Sequence, residues 1–304
     1  MDLRQLRTFL SIAKMGSFIQ AATHLGYTQS TVTTHIKNLE SHLGIKLFDR
    51  LGHKINLTSE GRTFKTYAEK IIKLADEAKE AVTPTTTPHG TVIVGTSESL
   101  STYKIPTLLQ TYRQDYANVE LVLKFENCSK ICDCIRNNEL DIALIINRKV
   151  EDPDFIVKSL AIEPMLFITA PNHPFAKKTI SPQDLSETCL ILTEQGCSYR
   201  ATIEKILDDS YITPRSSMEV NSIESIKQLV MLGLGISLLP RFTVEKELHN
   251  NQLAVATHQL PLPQYMTQLI YHKSKWLSPA LRAFIKTVDQ AFIDSYGLVK
   301  NSIE

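Results

Sequence analysis

The residues with the clearest chemical use lie between Gln29 and Lys37. Gln29, Ser30, Thr31, Thr33, Thr34, His35 and Lys37 follow one another there, with Val32 and Ile36 set among them. Val32, Ile36, Leu39 and Leu43 recur at helical spacing, so the stretch reads as a helix whose other face is polar. Threonine is a mediocre helix former, and a run of it on an exposed face needs a reason. The major groove of DNA supplies one: it admits a helix and offers donors, acceptors and thymine methyls to Gln, Ser and Thr. A second chemistry shows in three polar loops, Gly95–Ser99, Glu126–Ser129 and Thr193–Arg200, each between a predicted strand and a predicted helix. Hydroxyls and backbone N–H groups at helix starts suit a small anion such as a carboxylate. Arg148 and Arg200 are candidate charge partners. Cys197, at a helix start, is a candidate thiolate.

The elements that must position the first set are local and legible. Phe18, Ala21, Ala22 and Leu25 form an apolar line on a short helix, with Ser17 as its N-cap and Gly26 at its end. The polar helix then opens at Gln29 or Ser30 and closes at Gly44. Two helices joined by a short Gly-containing turn make a helix-turn-helix. After it come Leu47-Phe48, Arg50, a Gly turn, His53-Lys54 and a short strand ending at Thr58. That is the pattern of a wing, a basic hairpin able to lie along phosphates or the minor groove. A preceding helix opens at Asp2, with Leu3, Leu6, Phe9, Leu10 and Ile12 packed beneath.

With DLRQLRTFLSIAKMGSFIQAATHLGYTQSTVTTHIKNLESHLGIKLFDR followed by LTSEG, the chain resembles a LysR-type transcriptional regulator. The motif is long and specific. Many members have Pro at position 30 or 31; this chain has Ser30 and Thr31, and a Ser N-cap serves there. The expected DNA contacts are Gln29, Ser30, Thr31, Thr33, Thr34, Lys37, Arg50, His53 and Lys54.

The 304 residues carry 33 Lys/Arg and 32 Asp/Glu, so the overall charge says little. Its distribution says more. Residues 1–58 hold seven Lys/Arg against three Asp/Glu, a net of +4, and the remainder is net −3. A basic module on a slightly acidic body is the footprint of a DNA reader with a separate control domain. The N-terminus enters an amphipathic helix without a signal peptide, and no apolar run approaches the length of a membrane span. The expected location is cytoplasmic, with the five cysteines reduced.

From Ser59 to Val82 the residues Phe64, Tyr67, Ile71, Leu74, Ala78 and Ala81 recur at alternating spacings of three and four, backed by Ala68, Ile72 and Ala75. This heptad-like seam predicts a helix that pairs with a second copy, with Phe64, Tyr67, Ile71, Leu74 and Ala78 at the contact. Thr83–Gly90 is a Thr/Pro-rich hinge. Beyond it strands alternate with helices in two rounds, which predicts an α/β region with largely parallel sheets. Lys104–Tyr116 reads as one helix within it. The expected division is a winged helix-turn-helix domain over 1–58, a linker helix and hinge over 59–90, and a regulatory domain over 91–304. Lobe I of the last takes 91–161 and 265–304, and lobe II takes 162–264.

The resemblance implies the same: a periplasmic-binding-protein-like (type 2) two-lobed effector domain, more weakly signalled after residue 90 than before it. Gly233–Pro240, GLGISLLP, is a familiar segment of such domains. It also implies effector contacts at positions matching Thr96, Ser97, Ser99, Ser129, Gly196, Cys197, Ser198, Tyr199 and Arg200, with Arg148 added from its place after a strand. The implied partners are operator DNA, a small-molecule effector expected to be anionic, further copies of the chain in a homodimer or homotetramer, and RNA polymerase. No cofactor or metal is expected. Cys197 resembles the peroxide-reactive Cys of the OxyR branch, which makes an oxidant sensor the alternative; that branch needs a second Cys further along, and none follows Cys197. Cys128, Cys132 and Cys134 do not match the usual zinc spacings. An enzyme is disfavoured, since no GxGxxG, GxSxG, HExxH or P-loop stands in context. A solute-binding protein would leave the first 60 residues without a use.

Overall fold

The computed structural model describes residues 1–51, 54–82 and 87–296, without the side chains of 50, 51, 54 and 294–296. The chain divides into two compact units, Met1–Thr85 and Thr86–Glu304.

In the first unit, α1 (Leu3–Met15), α2 (Phe18–Leu25) and α3 (Gln29–Leu43) form a three-helix core, followed by the antiparallel pair β1 (Phe48–Leu51) and β2 (Lys54–Leu57). The first two helix starts are capped as their sequences indicate. The Asp2 carboxylate accepts from Gln5 N and the Gln5 side chain closes a capping box, and Ser17 accepts from Gln20 N. The cap of α3 is Thr28, which accepts from Thr31 N, so the helix opens one residue before Ser30 and Ser30 is not its cap. Gly26 closes α2 at φ 67°, the left-handed conformation that lets the chain turn sharply into α3. Leu6, Phe9, Ile12, Ala21, Val32, Ile36 and Leu39 fill the core.

The long helix α4 (Ser59–Val82) begins against that core. The Thr58 hydroxyl accepts from Gly61 N. Gly61 lies so close to the start of β1 that an added Cβ would stand 2.1 Å from the Leu47 carbonyl oxygen. Ala68 is fully buried, and the Phe64 ring meets Phe9 at 5.1 Å. Phe64 therefore belongs to the core of its own unit. The predicted seam divides: Gly61, Phe64, Ala68 and Ile72 face inward, while Tyr67, Ile71, Leu74 and Ala78 are exposed.

The described residues of the second unit hold two larger sheets and a separate two-stranded pair. In the first, the order is β4 (Val119–Phe125), β3 (Gly90–Thr96), β5 (Ile142–Asn147), β13 (Tyr265–His272), β6 (Phe155–Glu163). β3 is parallel to β4 and β5, whereas β13 runs antiparallel to β5 and β6. In the second, β11 (Ser237–Pro240), β7 (Met165–Thr169), β12 (Ala254–His258) and β8 (Thr179–Ile180) are hydrogen-bonded in that order, with β7 antiparallel to both its neighbours. β9 (Cys189–Leu192) and β10 (Ser216–Glu219) form a parallel pair, tied to the second sheet through Leu190 and Ile236. The sheets are mixed, not largely parallel. The chain leaves lobe I through β6, builds lobe II, and returns through β13, so strands at the crossings run against their neighbours.

Helices cover these sheets: α5 (Glu98–Tyr103), α6 (Ile105–Asp115) and α7 (Cys128–Arg136) between early strands, α8 (Ser198–Asp209), α9 (Ile223–Met231) and α10 (Glu245–His249) in lobe II, and α11 (Pro279–Tyr296) at the end. The single helix predicted over Lys104–Tyr116 is two. Lys104, at φ −115° and ψ −42°, ends α5 and starts α6, and Pro106 lies in the first turn of α6.

Candidate DNA-reading surface and effector cleft

Gln29, Ser30, Thr34 and Lys37 of α3 are exposed, and Thr31 and Thr33 are half-exposed, over the buried line of Val32, Ile36 and Leu39. The Thr33 and Thr34 hydroxyls donate back to the carbonyls of Gln29 and Ser30 at 2.8 and 2.9 Å. This fixes their rotamers and leaves each oxygen as an acceptor. Thr28 gathers Ser30 and Thr31 by hydroxyl contacts of 2.9 and 2.8 Å. His35 departs from the expectation of an exposed polar residue. Its Nδ1 lies 2.9 Å from the Thr8 hydroxyl and its ring packs on Tyr27, so it joins α3 to α1. At the other end of α3, the buried Glu40 carboxylate accepts from Leu47 N and Lys46, which locks the helix to the entry of the hairpin. Arg50 and Lys54 fall in β1 and β2, and His53 lies outside the described residues.

The polar loops of the second unit meet in a cleft. Ser97, Ser99, Cys197, Ser198 and Tyr199 line one small cavity of about 40 Å³. Ser99 Oγ and Tyr199 OH meet at 2.9 Å, and Ser198 Oγ donates to the Ile146 carbonyl at 3.2 Å. Thr193 lines the same cavity, and its buried hydroxyl has no oxygen or nitrogen partner. The other expected effector residues are placed differently. Thr96 is wholly buried under the loop. Ser129 donates to Asn127 Oδ1, which also caps α7 by accepting from Lys130 N. Gly196 packs on that cap, where an added Cβ would lie 2.9 Å from Asn127 Nδ2. Arg148 is exposed and does not line the cavity. Arg200 binds Glu204 and Glu219 and the Thr193 carbonyl, so its charge is spent on its own lobe.

The sequence reading missed the acids of the cleft. Glu98, Glu126 and Glu194 line the cavity, and among the described lining residues there is no Lys or Arg. Both Glu98 oxygens accept from Ile223 N at 3.1 Å, which seats a carboxylate on the N-terminus of α9, where Ser222 makes no side-chain cap. A Glu before a Ser in a strand-to-helix loop was the available signal. Burial pushes the Cys197 thiol up, against the opposing hydrogen bonds at the helix start. Burial also raises Cys128, on the same cavity wall, to about 12.

Comparison with known proteins accords with this geometry. Residues 3–62 match the model of the bacterial regulatory helix-turn-helix proteins of the lysR family, and residues 85–293 match the LysR substrate binding domain. The uncharacterized HTH-type transcriptional regulator YwqM of Bacillus subtilis is 39% identical over 294 residues, covering 96% of this chain and 100% of that one. The HTH-type transcriptional regulator CzcR of Bacillus thuringiensis is 33% identical over 294 residues, covering 95% and 98%. A full-length OxyR from Pseudomonas aeruginosa shares the fold at TM-score 0.70 and 24% identity, over 96% of this chain and 95% of that one. CbnR complexed with its target DNA does so at 0.65 and 20%, over 96% and 100%.

Proposed function

The chain belongs to the LysR family of transcriptional regulators, and from that premise we propose how it reads DNA and what it senses. The polar exposed face of α3, set over a buried apolar line, carries the DNA reading: Gln29, Ser30, Thr31, Thr33, Thr34 and Lys37 meet the major groove, and Arg50, His53 and Lys54, which follow in the sequence, meet the backbone. In this reading the chain comprises a winged domain over 1–58, a linker helix and hinge over 59–90, and a two-lobed regulatory domain over 91–304. The exposed stripe Tyr67, Ile71, Leu74 and Ala78 pairs two copies of α4. A dimer suits two-fold operators, and contact with RNA polymerase would follow from promoter binding.

For the effector, the lining of the cleft outweighs the charge expected from its helix starts. Three carboxylates and several hydroxyls, with no cation among the described lining residues, favour a small molecule bearing an amine or other donors. An anion would have to displace Glu98 from the N-terminus of α9. The contacting residues are Ser97, Glu98, Ser99, Thr193, Ser198 and Tyr199. Oxidant sensing through Cys197 is the second reading, and its raised thiol weighs against it.

Fluorescence anisotropy on operator DNA tests the reader. Gln29→Ala and Thr33→Ala should each weaken binding by about 1–3 kcal/mol and relax base preference; unchanged affinity in both would refute the assignment. A thermal-shift series of amines, amino acids and simple carboxylates tests the cleft. A ligand at about 100 times its Kd adds about 2.7 kcal/mol of stability. Hits confined to simple carboxylates would overturn the donor reading.

A further inference from the structure

One carboxylate of the cleft is already engaged. The two oxygens of Glu98 each accept from Ile223 N at 3.1 Å. Ile223 opens α9, a nine-residue helix whose N-cap, Ser222, makes no side-chain bond to it. The free N–H groups of a helix start attract an anion. Here the chain supplies that anion itself, from the first residue of α5. Glu224, in the first turn of α9, is held by Tyr103 and Lys227 and does not line the cavity.

The rest of the wall is set for the opposite charge. Glu126 and Glu194 line the cavity beside Glu98. Thr193 stands on the same wall, is 5% exposed, and has a hydroxyl without an oxygen or nitrogen partner. A buried polar group in that state lacks a bond that a ligand can provide. An ammonium entering among the carboxylates attracts Glu98 by a charge-assisted bond. That draws it away from α9. A ligand with an ammonium alone leaves the helix start without its anion. A ligand that also carries a carboxylate restores what it removes.

We propose that the cleft takes a small α-amino acid by an exchange of carboxylates. The ligand's ammonium pairs with Glu98, and the ligand's carboxylate replaces Glu98 at Ile223 N. The inference rests on the reading of the cleft as a site for a donor-bearing molecule, and narrows that molecule to a zwitterion. Glu98 is then the residue that sets the ligand's charge: seated on α9 it excludes a simple carboxylate, and drawn to an ammonium it admits one. The cavity of about 40 Å³ holds roughly three water-sized groups. Withdrawal of Glu98 adds the space of its carboxyl group, so the side chain is of alanine or serine size.

Isothermal titration of the full-length protein tests the exchange with L-alanine and L-serine, the amides of both, and the acids that lack their amine, propionate and 3-hydroxypropionate. At least one amino acid should bind once per chain, its amide on the order of tenfold more weakly, and its amine-free acid not at all. Glu98→Gln, which leaves α9 without a carboxylate, should reverse the order of amide and acid. Ser222→Asp, which gives α9 a carboxylate cap of its own, should erase the preference for amino acid over amide, and it serves if the first variant does not fold. An amide that binds the unaltered protein as tightly as its amino acid would overturn the exchange and leave the donor reading standing. Amine-free acids that bind as tightly as the amino acids would overturn both. Binding by neither amino acid, or an unchanged order of affinities in the folded variants, would overturn the exchange.

Discussion

Asp184 shows how one side chain can hold a local turn and leave a signature in solution. It accepts from Ser181 N and Oγ and pairs with Lys178 at 2.5 Å, beside the short strand β8. Lys178 first, then Ser181, lower its pKa to about 2. A carboxyl lowered on folding stabilises the fold above its unfolded pKa, and the stabilisation fades as pH falls toward the folded value. Asp184→Asn should therefore cost stability at neutral pH and remove part of the acid destabilisation between about pH 4 and pH 2, as measured by melting at fixed ionic strength. A variant that melts in parallel with the parent across that window would contradict the argument. The same scale holds the plainest failures of sequence reading. Arg200 is a cation in a polar loop, which suits a ligand contact, but Glu204 lies one turn on and Glu219 comes from β10. Only the first of these partners is visible in local spacing.

At the scale of elements, α4 carries two stripes at similar periods. Gly61 opens the inner one, and the Leu47 carbonyl leaves no room for a methyl group there. Gly61→Ala should lower stability by about 1–3 kcal/mol, seen as a fall in Tm, because the start of the helix must move off the hairpin. The outer stripe is apolar and uncovered, with Tyr67 60% and Leu74 63% exposed. Side chains of that size at heptad spacing are a surface for another helix. Leu74→Asp should turn the assembly into monomers by analytical ultracentrifugation, with the helix content intact. A variant that sediments as the parent does would exclude α4 pairing. Periodicity revealed both stripes as one seam; it could not assign Phe64 inward, because the partner that claims it, Phe9, lies far away in the chain.

At the scale of the whole regulatory unit, contacts of long sequence separation join the loop after β3 and the start of α7 to α8 and α9. Ser99 meets Tyr199, Glu98 meets α9, Asn127 Nδ2 donates to the Gln195 carbonyl at 3.3 Å, and Tyr103 meets Glu224. A ligand shifts such an arrangement only through unequal affinity for its open and closed forms. Ser99→Ala leaves the buried Tyr199 hydroxyl without this partner, at a cost of about 1–3 kcal/mol to the closed form. It should blunt the effector-dependent change in DNA affinity, and Tyr199→Phe in the same chain should restore stability without restoring the response. Full response in Ser99→Ala would remove the contact from the switch.

The amino-acid sequence by itself determined the helix-turn-helix, the Ser17 cap within it, the long helix and the alternating order of the second unit. Each of these rests on neighbours within a turn or two: hydroxyl and carboxylate caps, a glycine at a helix end, apolar periods of 2 and 3.6. Tertiary structure decided the rest. The charge of the cleft depends on Glu98, Glu126 and Glu194 converging while Arg148 and Arg200 stay out. The direction of strands at the two lobe crossings depends on where the chain returns. The partners of Lys104 at the junction of α5 and α6, Glu163 and Phe242, come from distant parts of the chain. Charges, rings and strands of this kind find their partners across dozens to more than a hundred residues, and no local pattern records which ones will meet.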